Sequence, residues 1–209
     1  MEHLSLECAA SSLPAPGATA GGDWWDVIAR PDRTVALVLG AVMGHGDTVA
    51  APAGALASTV RAITSEGHDP ETVMANARRW ACGRGVMATM FLGLLDVESA
   101  ILRFCSAGQP PPIVLSCGAV SLISLVSGPP LGTGWPEPET WGEIELEPGD
   151  TVVVYSEGLA GRDGLGPRLM AALRRAADRD CAVPILCQAA IATVEAGCHD
   201  RTVLAVKVR

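Results

Sequence analysis

The stretch LGAVMGHG, residues 39–46, decides how this chain is read. Apolar residues Val35 to Leu39 run into it as a buried strand, and it then becomes a turn that holds His45 between Gly44 and Gly46. Glycine-rich turns at strand ends usually serve chemistry, because the missing side chains let backbone come close to a ligand or ion. Yet no carboxylate stands between Gly40 and Gly44, and Ala41 occupies the place where an acid is expected.

Working outward, the segment before this turn reads as a hairpin: strand Trp24 to Ala29, a turn at RPDR, then strand Thr34 to Leu39. Upstream, EHLSLECAASS alternates as a first strand and closes in the turn-rich LPAPGATAGG. Downstream the period changes to helical. DTVAAPAGALASTVRAITSEG starts on Asp47 as a capping residue, places Pro52 in its early turns and stops at Gly67. DPETVMANARRWACG follows with Asp69 as N-cap, Pro70 at the first helical position and Glu71 in the first turn. VMATMFLGLLD, ILRFCSAG, IVLSCGAVSLISL and TVVVYSEGL then read as strands, and Pro167 to Arg179 and Pro184 to Ala196 as helices before a last strand, TVLAVKVR. Gly128 to Gly142, the longest irregular segment, reads as a surface flap. This order predicts an α+β layered fold with two sheets covered by helices, in one domain over residues 1–209.

Composition removes several function classes. Of 209 residues 49 % are apolar, with 23 glycines and 15 prolines, so a large core joined by many turns is expected. A net charge of −8 argues against nucleic acid as a partner. The one local basic cluster, Arg168, Arg174, Arg175 and Arg179, reads as the solvated face of a helix. No apolar stretch reaches the ~20 residues of a membrane helix, and Glu2, His3 and Glu7 spoil any leader pattern, so no membrane association and a cytoplasmic location are expected. Seven cysteines without a Cys-x-x-Cys pair argue against a disulfide framework or structural zinc site, and most are expected in the core.

Seven blocks carry a resemblance. GGDWWDV, LVLGAVMGHG, ATMFLGLLD, LRFCSAGQPPPIVL, GPPLG, LEPGDTVVVYSEGL and HDRTVLAVKVR resemble, in order, the serial blocks of the metal-dependent (PPM-type) serine/threonine protein phosphatases, in the SpoIIE-like branch that includes bacterial sigma-factor regulators. The resemblance implies a four-layer α-β-β-α sandwich with two central, mostly antiparallel sheets. It also implies two Mn²⁺ or Mg²⁺ ions held by strand-end aspartates, with a bridging water that attacks a phosphoserine or phosphothreonine. Implied partners are a phosphoprotein or a regulator of the anti-sigma or anti-anti-sigma type, and a homodimer is an open oligomeric state.

Carried over by position, the resemblance implies catalytic roles for Asp23, Glu157 and His199. It implies metal contacts from Asp23, Asp26, Glu157, His199 and Asp200, and a cleft lined by Ala41, Gly44, His45, Gly46 and Gln109. Several matched positions depart from the pattern. Ala41 replaces the bridging aspartate, Glu157 stands in YSEG for an aspartate, His199 replaces the first of two acids before the last strand, and Gln109 replaces a histidine. A methyl binds no metal, so the matched positions retain only Asp23 and Glu157 as acids, and two divalent ions would keep excess positive charge unless Asp26 or Asp200 contributes.

Two functional readings follow. One is a pseudophosphatase that binds a phosphoprotein or small ligand in the remnant cleft, with no metal required. The other is an enzyme, either a weak single-metal phosphatase using Asp23, Asp26, Glu157, His199 and Asp200 or a repurposed catalyst. Nucleophilic chemistry by Cys198 beside His199 is a third idea, weakened because sequence neighbours on a strand face opposite ways. Bland readings also stand: His45 as a turn-orienting residue, Asp23 and Asp26 as caps of backbone groups and Glu157 as a strand-end acid. Trp24 and Trp25 alternate on a strand, so one belongs to the core and the other lines the cleft, with a core role for both as the default. If the alignment is right, Asp23, Ala41, Glu157 and His199 converge at one end of the sandwich.

Overall fold

The computed structural model describes residues 5–44, 46–124, 127–135, 140–160, 166–179, 181–193 and 199–209. Its strands are β1 (Leu6–Leu13), β2 (Asp23–Ala29), β3 (Thr34–Val42), β4 (Ala88–Asp96), β5 (Ile101–Ala107), β6 (Ile113–Ser116), β7 (Ala119–Leu122), β8 (Trp141–Glu145), β9 (Thr151–Tyr155) and β10 (Arg201–Val208). Its helices are α1 (Ala50–Ser65), α2 (Pro70–Arg84), α3 (Glu157–Ala160), α4 (Pro167–Ala177) and α5 (Val183–Ile191).

The strands form two five-stranded sheets, β1-β10-β9-β6-β7 and β2-β3-β4-β5-β8, antiparallel at every pairing. Alternation sends successive side chains to opposite sheet faces, and three apolar layers result. Trp24, Ile28, Ala36, Val38, Met90 and Leu92 meet the α1–α2 pair through Leu56, Val60 and Met74. Leu37, Leu39, Phe91 and Phe104 meet Val152, Val154 and Leu204 between the sheets. Val153, Tyr155, Val203 and Ala205 meet α4 and α5 through Leu173, Leu186 and Ala190. This is the α+β sandwich expected from the order of elements.

Local chemistry explains the hairpin that opens the second sheet. Arg30 N–H donates to the Thr34 carbonyl at 3.0 Å, and Arg33 closes the loop with φ of 63°. Asp32 accepts from Thr34 Oγ1 at 2.7 Å and Thr34 N–H at 3.2 Å. Arg30 beside it, together with these bonds, holds the Asp32 carboxyl down to about 2. Arg30 also donates to the carbonyls of Thr64 and His68, tying the hairpin to the end of α1.

Several expectations are corrected here. Asp69 caps α2 by accepting from Thr72 N–H at 2.7 Å, but Asp47 does not cap α1. Its carboxylate instead accepts from Thr19 N–H, Thr19 Oγ1 and Ala20 N–H, and the helix starts through a 3₁₀ turn at Asp47–Val49. The 128–142 flap is anchored: Leu131 is fully buried and exchanges both backbone bonds with Ala88. Trp141 already belongs to β8, a strand the sequence pattern did not reveal; residues 136–139 lie outside the described residues. Helices expected over 167–179 and 184–196 are observed as Pro167–Ala177 and Val183–Ile191. Among described cysteines only Cys105 and Cys187 are buried, while Cys8, Cys82 and Cys117 are exposed; Cys198 lies outside the described residues, and so does His45. Trp24 is core and Trp25 is 45 % exposed, the split that alternation along a strand gives, and not the default of two core residues.

Candidate functional site

The sequence block Gly21-Gly22-Asp23 folds as it does because a carboxylate from the far end of the chain occupies the space its glycines leave. Asp200, just before β10, accepts from Gly22 N–H through Oδ2 at 2.6 Å and from Ala15 N–H through Oδ1 at 2.7 Å. A Cβ on Gly21 would stand 2.3 Å from that Oδ2, and one on Gly22 would stand 2.6 Å from the Val42 carbonyl oxygen. Gly158 is needed for a similar reason, since its Cβ would lie 2.0 Å from the Asp200 carbonyl oxygen. Asp200 thus pins the loop before β2, the start of β2 and the turn after β9 to one point.

Asp23 sits on the inter-sheet face at that point. Its cross-strand partner in the β2–β3 register is Ala41, whose partner on β4 is Thr89. Because Val42 N–H donates to the Gly22 carbonyl at 2.9 Å, the adjacent Asp23–Ala41 pair is of the non-hydrogen-bonded type, in which side chains stand closest. Gly40 before it is demanded by packing on the other face: a Cβ there would come within 2.5 Å of the Trp24 indole.

From the opposite sheet, Ser156 and Thr202 face the Asp23 carboxyl and favour its charged form. They belong to one hydroxyl chain, with Ser12 Oγ and Thr202 Oγ1 sharing a hydrogen bond of 2.7 Å and Thr202 N–H donating to Ser156 Oγ at 2.9 Å. Burial outweighs these contacts. It raises Asp23 from 3.8 to about 6, with Asp200 adding to the rise and His199 opposing it. Asp23 Oδ2 is buried without a hydrogen-bond partner among the described residues. Such an oxygen costs free energy unless something external pairs with it.

The expected residues are distributed as follows. Asp23, Ala41, His199 and Asp200 come together. Glu157 begins α3 at the same end of β9 but is exposed; the YSEG residue that reaches Asp23 is Ser156. Asp26 is not brought to this end. Three residues from Asp23 on a strand, it faces the helical layer and pairs with Arg61 of α1. Gly44, with φ of 133°, lets the turn pass Val49, where a Cβ would meet Cγ1 at 2.7 Å. Gly46, with φ of 75°, precedes the 3₁₀ turn. Gln109 is buried and locked by its backbone, donating N–H to Ser106 Oγ at 3.0 Å and accepting from it at 2.9 Å. Its side-chain amide has no partner among the described residues. Among the described residues no group of three or more His, Cys, Asp or Glu side chains is placed to hold a metal ion.

Ser12, Ser156 and Thr202 escaped the sequence reading. The signal was present as period-two alternation: Ser156 continues the inward face of Val152 and Val154, and Thr202 that of Leu204 and Val206.

The family model of Stage II sporulation protein E (SpoIIE) matches residues 31–209. The chain belongs to the SpoIIE family. Among solved structures, the RsbU and RsbW domains of Rv1364c from Mycobacterium tuberculosis are similar at 28 % identity and a TM-score of 0.87, over 99 % of this chain and 61 % of that one. The PP2C phosphatase domain of SpoIIE from Bacillus subtilis, with a regulatory fragment, superposes over 100 % of this chain and 65 % of its own at 16 % identity and a TM-score of 0.84. The catalytic domain of the phosphatase PstP, solved with two manganese ions, shares the fold at 17 % identity and a TM-score of 0.69, over 98 % of this chain and 99 % of that one. Protein IcfG of Synechocystis sp. (strain ATCC 27184 / PCC 6803 / Kazusa) is 21 % identical over 69 % of this chain, which spans 27 % of that relative's length. Among the described residues no helix of this SpoIIE-family chain is long and apolar enough to cross a membrane.

Proposed function

We propose that this SpoIIE-family chain is a phosphatase-fold regulator that binds a phosphorylated protein in its remnant cleft with little or no turnover. The observation that carries the reading is the pairing of Asp23 with Ala41. The resemblance calls for a carboxylate bridging two ions at the second position, and this chain offers a methyl. Asp200 spends both oxygens on backbone amides, Asp26 is turned to Arg61 and Glu157 points into solvent. On this reading the described residues do not assemble the donors that a pair of divalent ions needs, and no phosphoryl-transfer step is assigned to them.

The buried Oδ2 of Asp23, without a hydrogen-bond partner among the described residues, favours a second reading, an active Mn²⁺- or Mg²⁺-dependent phosphoserine/phosphothreonine phosphatase using a single ion at Asp23 with help from His199. The presence of two manganese ions in PstP supports the choice of metal for that reading. Partners of the regulator type are supported by the RsbU and RsbW domains of the similar mycobacterial protein. A cytoplasmic, single-domain unit, free or paired as a homodimer, completes the proposal.

Calorimetric titration of Mn²⁺ into the metal-free protein separates the two readings. The regulator reading expects no saturable heat at millimolar metal. Stoichiometric binding abolished by Asp23→Asn would replace it with the single-ion enzyme.

A further inference from the structure

A second surface lies on the outer helical layer over the β1-containing sheet. The exposed arginines of α4 and its end, Arg168, Arg174, Arg175 and Arg179, have no ion pair with any described residue, in a chain whose net charge is −8. Three of these arginines lie on α4 and Arg179 just beyond it, with the exposed Asp178 as the one described acid in that run. Beside them α5 (Val183–Ile191) contains no charged residue at all, and its Ile185 stands 54 % exposed.

Between the two helices runs a groove of about 270 Å³, floored by Ala172, Ala176 and Ala189, walled by Ile185 and rimmed by Arg175 and Arg179. Alanines at a helix–helix seam let a third helix approach closely, and an exposed aliphatic side chain supplies an anchor. An apolar groove edged by the Arg175 and Arg179 guanidinium groups is complementary to an apolar helix face edged by carboxylates. The eleven residues of α4 span about 16 Å at 1.5 Å per residue, the length of roughly three helical turns of a partner.

We propose that the α4–α5 groove docks an acidic amphipathic helix of a partner protein, independently of the Asp23 cleft. Nucleic acid and anionic lipid are disfavoured as occupants. Either would extend over many Debye lengths of a chain with net negative charge, whereas a short helix meets the local arginines alone.

The test is a selection of displayed helical peptides of about 18 residues against the whole chain, followed by fluorescence anisotropy of the enriched sequences. Expected winners carry an apolar i, i+3, i+4, i+7 stripe flanked by Asp and Glu. Their affinity should fall at least tenfold on Arg175→Glu with Arg179→Glu, and at least tenfold on Ile185→Asp, while circular dichroism shows unchanged melting. Raising salt several-fold above physiological strength should weaken them further. No enrichment, winners that are neutral or basic, or winners indifferent to both variants would overturn the proposal. Flotation of the chain with phosphatidylserine vesicles, lost in the double arginine variant, would overturn it in favour of a lipid surface.

Discussion

Ala41→Asp should convert the cleft from indifference to manganese into dependence on it. The β2–β3 register sets residue 41 directly across from Asp23 in a non-hydrogen-bonded pair, where opposing Cβ atoms are about 4.5–5.5 Å apart. Two carboxylates that close cannot both ionise cheaply: at an effective dielectric constant of about 20 and about 5 Å, their repulsion is about 3 kcal/mol. Protonating one is cheaper. Asp23, already raised to about 6, holds its proton at neutral pH for about 1.4 kcal/mol. The metal-free variant should therefore lose about 1.4 kcal/mol at neutral pH, or about 3–6 °C of melting temperature for a chain of this size. Manganese reverses the sign. With a Kd of about 10 µM, about 1 mM Mn²⁺ returns about 2.7 kcal/mol, while a wild-type site weaker than about 10 mM gains under about 0.1 kcal/mol. Differential scanning fluorimetry with chelator and with Mn²⁺ reads both arms. A wild-type shift as large as the variant's would show that Ala41 does not empty the site. A variant that Mn²⁺ leaves unmoved would show that no second donor faces residue 41.

Three further outcomes follow from the same geometry. Asp23 binds more protons folded than unfolded between its ordinary 3.8 and about 6, so raising pH through that window should cost the metal-free protein up to about 3 kcal/mol; denaturant titrations should show this slope flattened in Asp23→Asn. Asp200→Ala strips a charged acceptor from the Gly22 and Ala15 amides, and should destabilise by about 3 kcal/mol, with faster hydrogen exchange at both amides. Gly40→Ala forces a methyl against the Trp24 indole and should cost about 1–3 kcal/mol by urea unfolding, with altered tryptophan fluorescence.

The fold was legible where periodicity had one cause. Strands β3, β4 and β9 read clearly because no residue in them is exposed, and the β2–β3 hairpin because RPDR supplies both the turn and its Asp32 bonds. β8 was hidden because its residues are half-buried or exposed throughout and follow a proline-rich stretch. Asp47 looked like a cap, and only the tertiary approach of Thr19 and Ala20 diverts it. At the site, the convergence of Asp23 and Ala41 was legible through the resemblance, and the β2–β3 register sets them opposite one another. Asp26 was misplaced for an elementary reason, since three steps along a strand reverse the face. The hydroxyls of Ser156 and Thr202, and the clamp made by Asp200, depend on how two sheets approach, and no spacing within one segment encodes that distance.

Initial rates of p-nitrophenyl phosphate and phosphoserine-peptide hydrolysis, with millimolar Mn²⁺ and with Asp23→Asn beside the wild type, put the cleft itself on trial. A regulator that binds without turnover predicts rates equal in the two proteins and equal to those with chelator. Metal-dependent release of phosphate by the wild type, lost in Asp23→Asn, would contradict it and establish that Asp23 and its neighbours suffice for catalysis without an acid at residue 41.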